Sequence, residues 1–349
     1  MIAAAVLLSL ACGADPAAKV DALMAPWNVT GAPGAAVLVI RNGKVLHSKG
    51  YGMANLDERK PITPGTSFLL ASVTKQFTAM AIMMLSEQGK LSYDDTLASF
   101  FPEFPAYARD ITVRHLLNHT GGLREYDTLL VEAGLVRKSD YGIAKNPRSD
   151  SFEPTVHDVL RILANQKEPR FAAGEKFEYS NSGYVLLALI AEKVSGQRFA
   201  MFLEQRIFGP CGMNHSQLYD ETRPVIRDRA TSYRKESGRF LEVNYAPSNF
   251  VYGEDNIYTT IEDLYRWDQA LENNKLVTAA TFQSAMNPGK LNDSSLTHYG
   301  FGWNLGERSG SKAHFHGGSW LGYRTAIMRI PEQRLTIVVL SKFGRIATR

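Results

Sequence analysis

The sequence predicts a mixed α/β chain of the α+β kind: one antiparallel sheet made from both chain ends, helices packed on it, and a large helical region inserted between. Three observations carry that expectation. Residues 35–40 and 44–49 are strand-like runs flanking Arg41-Asn42-Gly43, and Asn-Gly is the dipeptide of a tight hairpin turn. Residues 313–318, 325–330 and 335–340 return to strand character, the last two joined by Pro331-Glu332-Gln333-Arg334. Between residues 72 and 304 the apolar positions recur mainly at helical spacing, interrupted by long polar loops.

In chain order, residues 2–10 are small and apolar except for Ser9, and residues 11–14 are small enough for cleavage. Residues 1–14 therefore read as a signal peptide, and the protein as periplasmic or secreted. Cys12 also offers a lipoprotein site, but Leu10 stands two residues before it where that pattern wants three, which favours plain secretion. Residues 15–349 read as a single domain, its sheet part at residues 30–68 and 305–349 and its helical part at 69–304. Residues 19–26 suit a short amphipathic helix. In the stretch 72–85, Val73, Phe77, Met80 and Met84 share one helical face and the other faces are also apolar, so this helix belongs inside, with Gly89 placed to end it. Residues 111–118 lead into His119-Thr120-Gly121-Gly122-Leu123, a loop whose paired glycines suggest tight backbone, and the polar stretch 137–153 reads as a surface loop of the kind that can cover a site. Further helices are expected over 156–165, over 185–194 with Gly196 as its stop, and from Thr260 through Leu271 with Asp263 at the third position. Gly50-Tyr51-Gly52 is a fragment of a dinucleotide motif, but Asn55 takes the third glycine position and no helix follows.

Composition narrows the function classes. At 349 residues, 44% hydrophobic and 21% charged, the chain is ordinary globular material, and its net charge of +4 comes from scattered rather than striped Lys and Arg, which argues against nucleic acid. Past the leader no apolar run reaches the roughly 18–20 residues of a membrane span. Two cysteines, Cys12 and Cys211, rule out a cysteine metal site by count. His115 with His119, and His314 with His316, have spacings that a zinc site could use, but no H-E-x-x-H accompanies them, so no metal or organic cofactor is expected.

The chemistry concentrates at the start of the buried helix. Ser72 and Lys75 are three residues apart and so on one side of it, and burying a hydroxyl and an ammonium there needs a reason. The pattern is the S-x-x-K of serine acyl transferases. It occurs three times in this chain, but Ser232 with Lys235 and Ser309 with Lys312 lie in polar loops. On their own, Ser72 and Lys75 could equally be an ordinary capped helix turn.

Taken with Tyr179-Ser180-Asn181 and His316-Gly317-Gly318, in that order, the Ser72-x-x-Lys75 pattern resembles the three motifs of the serine β-lactamase and penicillin-binding superfamily. The branch it is most similar to is that of class C β-lactamases, D-alanyl-D-alanine carboxypeptidases and family VIII carboxylesterases, and the likeness extends over residues 111–123, 177–196, 207–213 and 251–271. The resemblance implies the β-lactamase/transpeptidase-like fold and an acyl-enzyme formed on Ser72. It also implies that Lys75 and Tyr179 share the proton work, that Asn181 holds a substrate amide or carbonyl, and that the Ser72 and Ser319 backbone N–H groups receive the oxyanion beside His316, Gly317 and Gly318. For Lys75 to act as base at neutral pH its pKa would have to fall by roughly three units, which burial and a protonated His316 nearby could achieve. Tyr179, Asn181 and His316 each also have a plain reading, as a core tyrosine, a helix cap and a strand histidine.

Departures from the motifs bear on the substrate. His316 and Gly317 stand where β-lactamases of this branch carry K-T-G, a fixed cation and a hydroxyl for the substrate carboxylate. Weak carboxylate recognition is therefore expected, favouring small esters, amides or D-amino-acid peptides over β-lactams, with a D-alanyl-D-alanine carboxypeptidase, a class C β-lactamase and a slow-turnover penicillin-binding sensor as alternatives. Asn256 stands where relatives commonly have glycine. The expected partner is a small-molecule substrate, with the oligomeric state left open.

Overall fold

The computed structural model describes residues 16–140, 152–223 and 225–342. The expected leader, with Cys12, and most of the polar stretch 137–153 lie outside the described residues. After helix α1 (Pro16–Met24), strands β1 (Ala35–Arg41) and β2 (Lys44–Tyr51) form the expected hairpin. Asn42 and Gly43 both take positive φ, 53° and 74°, as a two-residue turn between right-twisted strands requires.

The chain returns to this sheet after more than two hundred residues. Strands β4 (Asn304–Arg308), β5 (Ser311–Trp320), β6 (Tyr323–Ile330) and β7 (Leu335–Ser341) complete six antiparallel strands in the order β4-β5-β6-β7-β1-β2. The first strand pairs with the last, from Ala35 opposite Ser341 to Arg41 opposite Leu335. Strand β1 is buried on both faces over six of its seven residues, which is why its sequence is continuously apolar instead of alternating. Ala36, Leu38, Ile40, Val338 and Leu340 face the main core, whereas Val37, Val39, Ile337 and Val339 meet Val20 and Met24 of α1 in a smaller core on the other side.

The helical region supplies that main core. Helix α2 (Lys75–Glu87) is buried from Lys75 through Leu85 and ends as its sequence dictates, with Gly89 at φ 68° and the Lys90 N–H on the Leu85 carbonyl at 3.0 Å. Short helix α3 (Val113–Leu117) and helix α4 (Val156–Ala164) carry reciprocal side-chain caps at Thr112 and Thr155. Helix α5 (Asn181–Ser195) packs against α2 and stops at Gly196, φ 72°. Helix α6 (Ile261–Glu272) begins at the Thr260 cap, whose hydroxyl accepts the Asp263 N–H at 3.1 Å.

The structure departs from expectation in four places. Ser72 does not open the α-helix: it sits in a 3-10 turn, Ala71–Thr74, that precedes α2. The run around Ser232 and Lys235 is a hairpin, Tyr233–Glu236 with Arg239–Glu242, turning at Ser237 and Gly238. Strand β4 adds an edge to the sheet beyond β5. A small three-stranded sheet, in which β3 (Ile257–Thr259) lies between Phe68–Leu69 and Gln217–Leu218, braces the approach to Ser72.

Candidate active site

The turn carrying Ser72 is pinned from two sides. The Leu70 N–H donates to the Ile257 carbonyl at 2.8 Å, and the Leu70 carbonyl accepts the Thr325 hydroxyl of β6 at 2.6 Å. Ala71 is forced to φ 49°, a left-handed value costly for a residue with a Cβ and found where surroundings over-determine the backbone. Strand β5 passes so close that a Cβ on Gly318 would lie 2.1 Å from the Leu70 carbonyl oxygen. Only glycine fits there.

Lys75 is fully buried, and its Nζ touches four oxygens: Ser72 Oγ at 3.3 Å, Asn181 Oδ1 at 2.8 Å, the Glu254 carbonyl at 3.0 Å and Glu254 Oε2 at 3.1 Å. Asn181 is the first residue of α5 and not its cap; Ser180 caps the helix, and the Glu125 carboxylate accepts the Asn181 N–H at 3.0 Å. The Tyr179 ring centroid lies 5.0 Å from Lys75 Nζ, close enough for the two groups to influence each other's charge. The same ring packs on His119 with centroids 4.2 Å apart, and His119 Nδ1 accepts the Ser180 N–H at 3.1 Å, which fixes the approach to α5.

His316 is buried in β5. Its Nδ1 lies 2.8 Å from the Gly317 carbonyl, an acceptor, so Nδ1 carries the proton and Nε2 accepts from the Tyr299 hydroxyl at 2.8 Å. Burial, then the Lys75 charge, pushes its pKa down to about 3. The imidazole is neutral at working pH, so it is not the neighbouring cation that could lower the Lys75 pKa. Lys75 itself moves the other way: burial pulls its pKa down, but Tyr179 and Glu254 outweigh burial and the net shift is upward. Tyr179 is also raised, by burial first, against the lowering effect of Lys75.

Above Ser72 opens a cavity of about 570 Å³ lined by Ser72, Tyr179, His316, Gly317, Gly318 and Ser319 of the expected set, together with Asn304, Phe315, Arg324 and Thr325. Asn181 and Lys75 are not among its lining residues, and they join the site through the contacts of Lys75 Nζ to Ser72 Oγ and Asn181 Oδ1. His316 supplies no cation for a carboxylate, in keeping with the weak recognition expected, but Arg324 lines the same cavity. Its Nη1 donates to the Leu321 and Tyr323 carbonyls at 3.0 and 2.6 Å, and no carboxylate among the described residues pairs with it. Asn256 takes φ 75° where glycine would be easiest, and its side chain donates to the Asn249 and Val251 carbonyls at 2.7 and 2.8 Å, so the asparagine locks this wall rather than disrupting it.

Sequence reasoning missed Glu254, Tyr299 and Arg324. The one signal for Glu254 was an acidic pair, Glu254-Asp255, inside an otherwise apolar stretch. The zinc spacing of His115 and His119 has a local use instead, since His115 Nδ1 accepts the Thr112 N–H at 3.2 Å as part of a helix cap.

Known proteins resemble this chain over most of its length. The chain is 34% identical over 319 residues to penicillin-binding protein 4* of Bacillus subtilis, covering 87% of this chain and 67% of that one. It is 28% identical over 325 residues to a D-aminopeptidase of Brucella canis, covering 91% of this chain but 58% of that protein, so it spans little more than half of that relative's length. The octameric penicillin-binding protein homologue of Pyrococcus abyssi superposes with a TM-score of 0.78 at 28% identity, over 94% of this chain and 73% of that one. The family model described as Beta-lactamase matches residues 17–345, and the chain belongs to that family of serine hydrolases.

Proposed function

We propose that the protein is an exported hydrolase that forms an acyl-enzyme on Ser72 and acts on small amides, esters or D-amino-acid peptides. One observation carries the reading: Ser72, its Oγ 3.3 Å from Lys75 Nζ, lines a cavity of about 570 Å³ together with Tyr179. Ser72 Oγ attacks the substrate carbonyl while its proton passes to the Lys75 and Tyr179 pair. The tetrahedral oxyanion sits between the Ser72 and Ser319 N–H groups, donors that contribute about 3–4 kcal/mol each in such sites. The same proton then goes to the leaving nitrogen or oxygen as its bond to carbon breaks, and water repeats the sequence to free the acid. Asn181 spends its Oδ1 on Lys75, leaving its Nδ2 to donate to a substrate carbonyl.

The D-aminopeptidase relative supports amide and D-peptide substrates, and neutral His316 supports weak anchoring of a β-lactam carboxylate at the third motif. A second reading, a D-alanyl-D-alanine carboxypeptidase or β-lactamase, is favoured by Arg324, a cationic residue among those that line the cavity.

The test is turnover of p-nitrophenyl butyrate, D-alanine p-nitroanilide and nitrocefin by the wild type and by Ser72→Ala. Loss of roughly a thousandfold or more in kcat/KM with the alanine is expected, since removing such a nucleophile leaves little beyond binding. Fast nitrocefin cleavage would transfer the assignment to the second reading, and a stoichiometric burst without steady state would identify a penicillin-binding sensor. Activity that survives Ser72→Ala would refute the nucleophile.

A further inference from the structure

We propose that Glu254 is the positioning residue of this site: its buried side chain and its own carbonyl fix Lys75 as an ammonium ion with all its protons committed. This deepens the reading of Ser72 as nucleophile and rests on it for its catalytic meaning. An ammonium has three protons and no lone pair, while a neutral amine has two protons and one lone pair. Three of the four oxygens around Nζ, namely Asn181 Oδ1 at 2.8 Å, the Glu254 carbonyl at 3.0 Å and Glu254 Oε2 at 3.1 Å, act as acceptors here. They take all three protons. A neutral Lys75 would set its lone pair against one of them.

The carboxylate is itself held in place. Its second oxygen, Oε1, accepts the Tyr126 hydroxyl at 3.1 Å, so both oxygens receive donors. The backbone before it is locked: Gly253 stands at φ 102°, where a Cβ would meet the Tyr184 carbonyl of α5 at 2.5 Å, and its own carbonyl accepts the Thr78 hydroxyl of α2 at 2.5 Å. Residue 254 is thereby clamped between the two helices that carry Lys75 and Asn181.

The other groups facing Lys75 do not replace this partner. From the α5 side come Asn181 and the rings of Tyr179 and Tyr184, 5.0 and 5.5 Å from Nζ to their centroids. From β5 and the loop at residues 119–125 come His316 and His119, both driven toward the neutral form by burial first, and Glu125, raised by burial and turned to the Asn181 N–H. Beside Glu254, Asp255 is buried with Oδ1 unpartnered, its pKa pushed well above the usual carboxylate range chiefly by burial, and it makes no hydrogen bond or ion pair to Lys75 among the described residues, whereas Glu254 Oε2 does at 3.1 Å. Lys75 and Glu254 thus form the charged pair. Lys75 therefore meets the substrate as a cation whose charge is set by Glu254.

The experiment is a pH titration of [ε-¹³C]lysine-labelled protein by NMR, with the Lys75 resonance identified by its loss in Lys75→Arg. In the wild type, Lys75 is expected to remain ammonium through roughly pH 9, and in Glu254→Gln its midpoint should fall by about one unit or more, a tenfold change in its acid dissociation constant. The rise of kcat/KM with pH should shift downward with it, which a purely structural role would not produce. Glu254→Asp, which keeps the charge but withdraws it by one methylene, should give a smaller fall and serves if the glutamine variant does not fold. A wild-type Lys75 that is neutral at pH 7, paired with a protonated Glu254, overturns the proposal, and so does a midpoint unchanged by Glu254→Gln. Absence of hydrolysis would refute the proposed function while leaving this titration readable.

Discussion

At the scale of single residues, the site creates its base only when a proton is lost from the pair Lys75 and Tyr179, and both groups are shifted upward. The sign follows directly. The active form is the deprotonated one, its pKa lies above neutrality, and kcat/KM for an uncharged ester should therefore climb about tenfold per pH unit from pH 7 toward pH 9. A plateau reached below pH 7 in the pH–rate profile would contradict both shifts. His316, held neutral with a pKa of about 3, contributes no limb to that profile. These residues were only half legible in the sequence. Ser72, Lys75, Tyr179, Asn181 and His316 announce themselves through ordered motifs, because local backbone sets their spacing. Glu254 and Arg324 reach the site through tertiary packing, which leaves no spacing to read, so the charge state of Lys75 could not be deduced from the motifs.

At the scale of elements, the site depends on how closely β5 approaches the turn before α2. Gly318 is the contact point, with Leu70, Thr325 and Ala71 all around its α-carbon. Gly318→Ala would place a Cβ 2.1 Å from the Leu70 carbonyl oxygen, a backbone atom that no side-chain rotation can move, so strand and turn must separate. The expected outcome is a loss of about 2–4 kcal/mol in urea unfolding, together with a fall in kcat that exceeds any rise in KM, because the Ser319 donor moves away from Ser72. A variant of native stability and activity would mean that β5 does not set the oxyanion geometry. The elements themselves were legible wherever their ends carry turn or cap chemistry: Asn42-Gly43, Gly89, Gly196 and Thr260 all act where the sequence puts them. Strand β4 and the two-residue strands around β3 were not, since runs so short or so exposed carry no periodicity.

At the scale of the whole molecule, the sheet separates two cores that have different work. Pairing of β1 with β7 joins residues some three hundred positions apart, so the fold closes only when both chain ends are in place. One face of that sheet carries the helices and the candidate site; the other is covered by α1 through Val20 and Met24, both fully buried. Stability and chemistry should therefore be separable by face. Met24→Ala removes a fully buried side chain from the smaller core, and substitutions of this kind cost about 2–5 kcal/mol. Because Met24 packs on the face opposite Ser72, kcat/KM at 25 °C should stay within about twofold while the urea midpoint falls, and the cost should add to that of Gly318→Ala in the double variant, as for distant independent sites. Measuring both quantities on the same preparations decides the point. If kcat/KM drops in step with stability, the sheet transmits strain from α1 to β5, and the two cores are one mechanical unit.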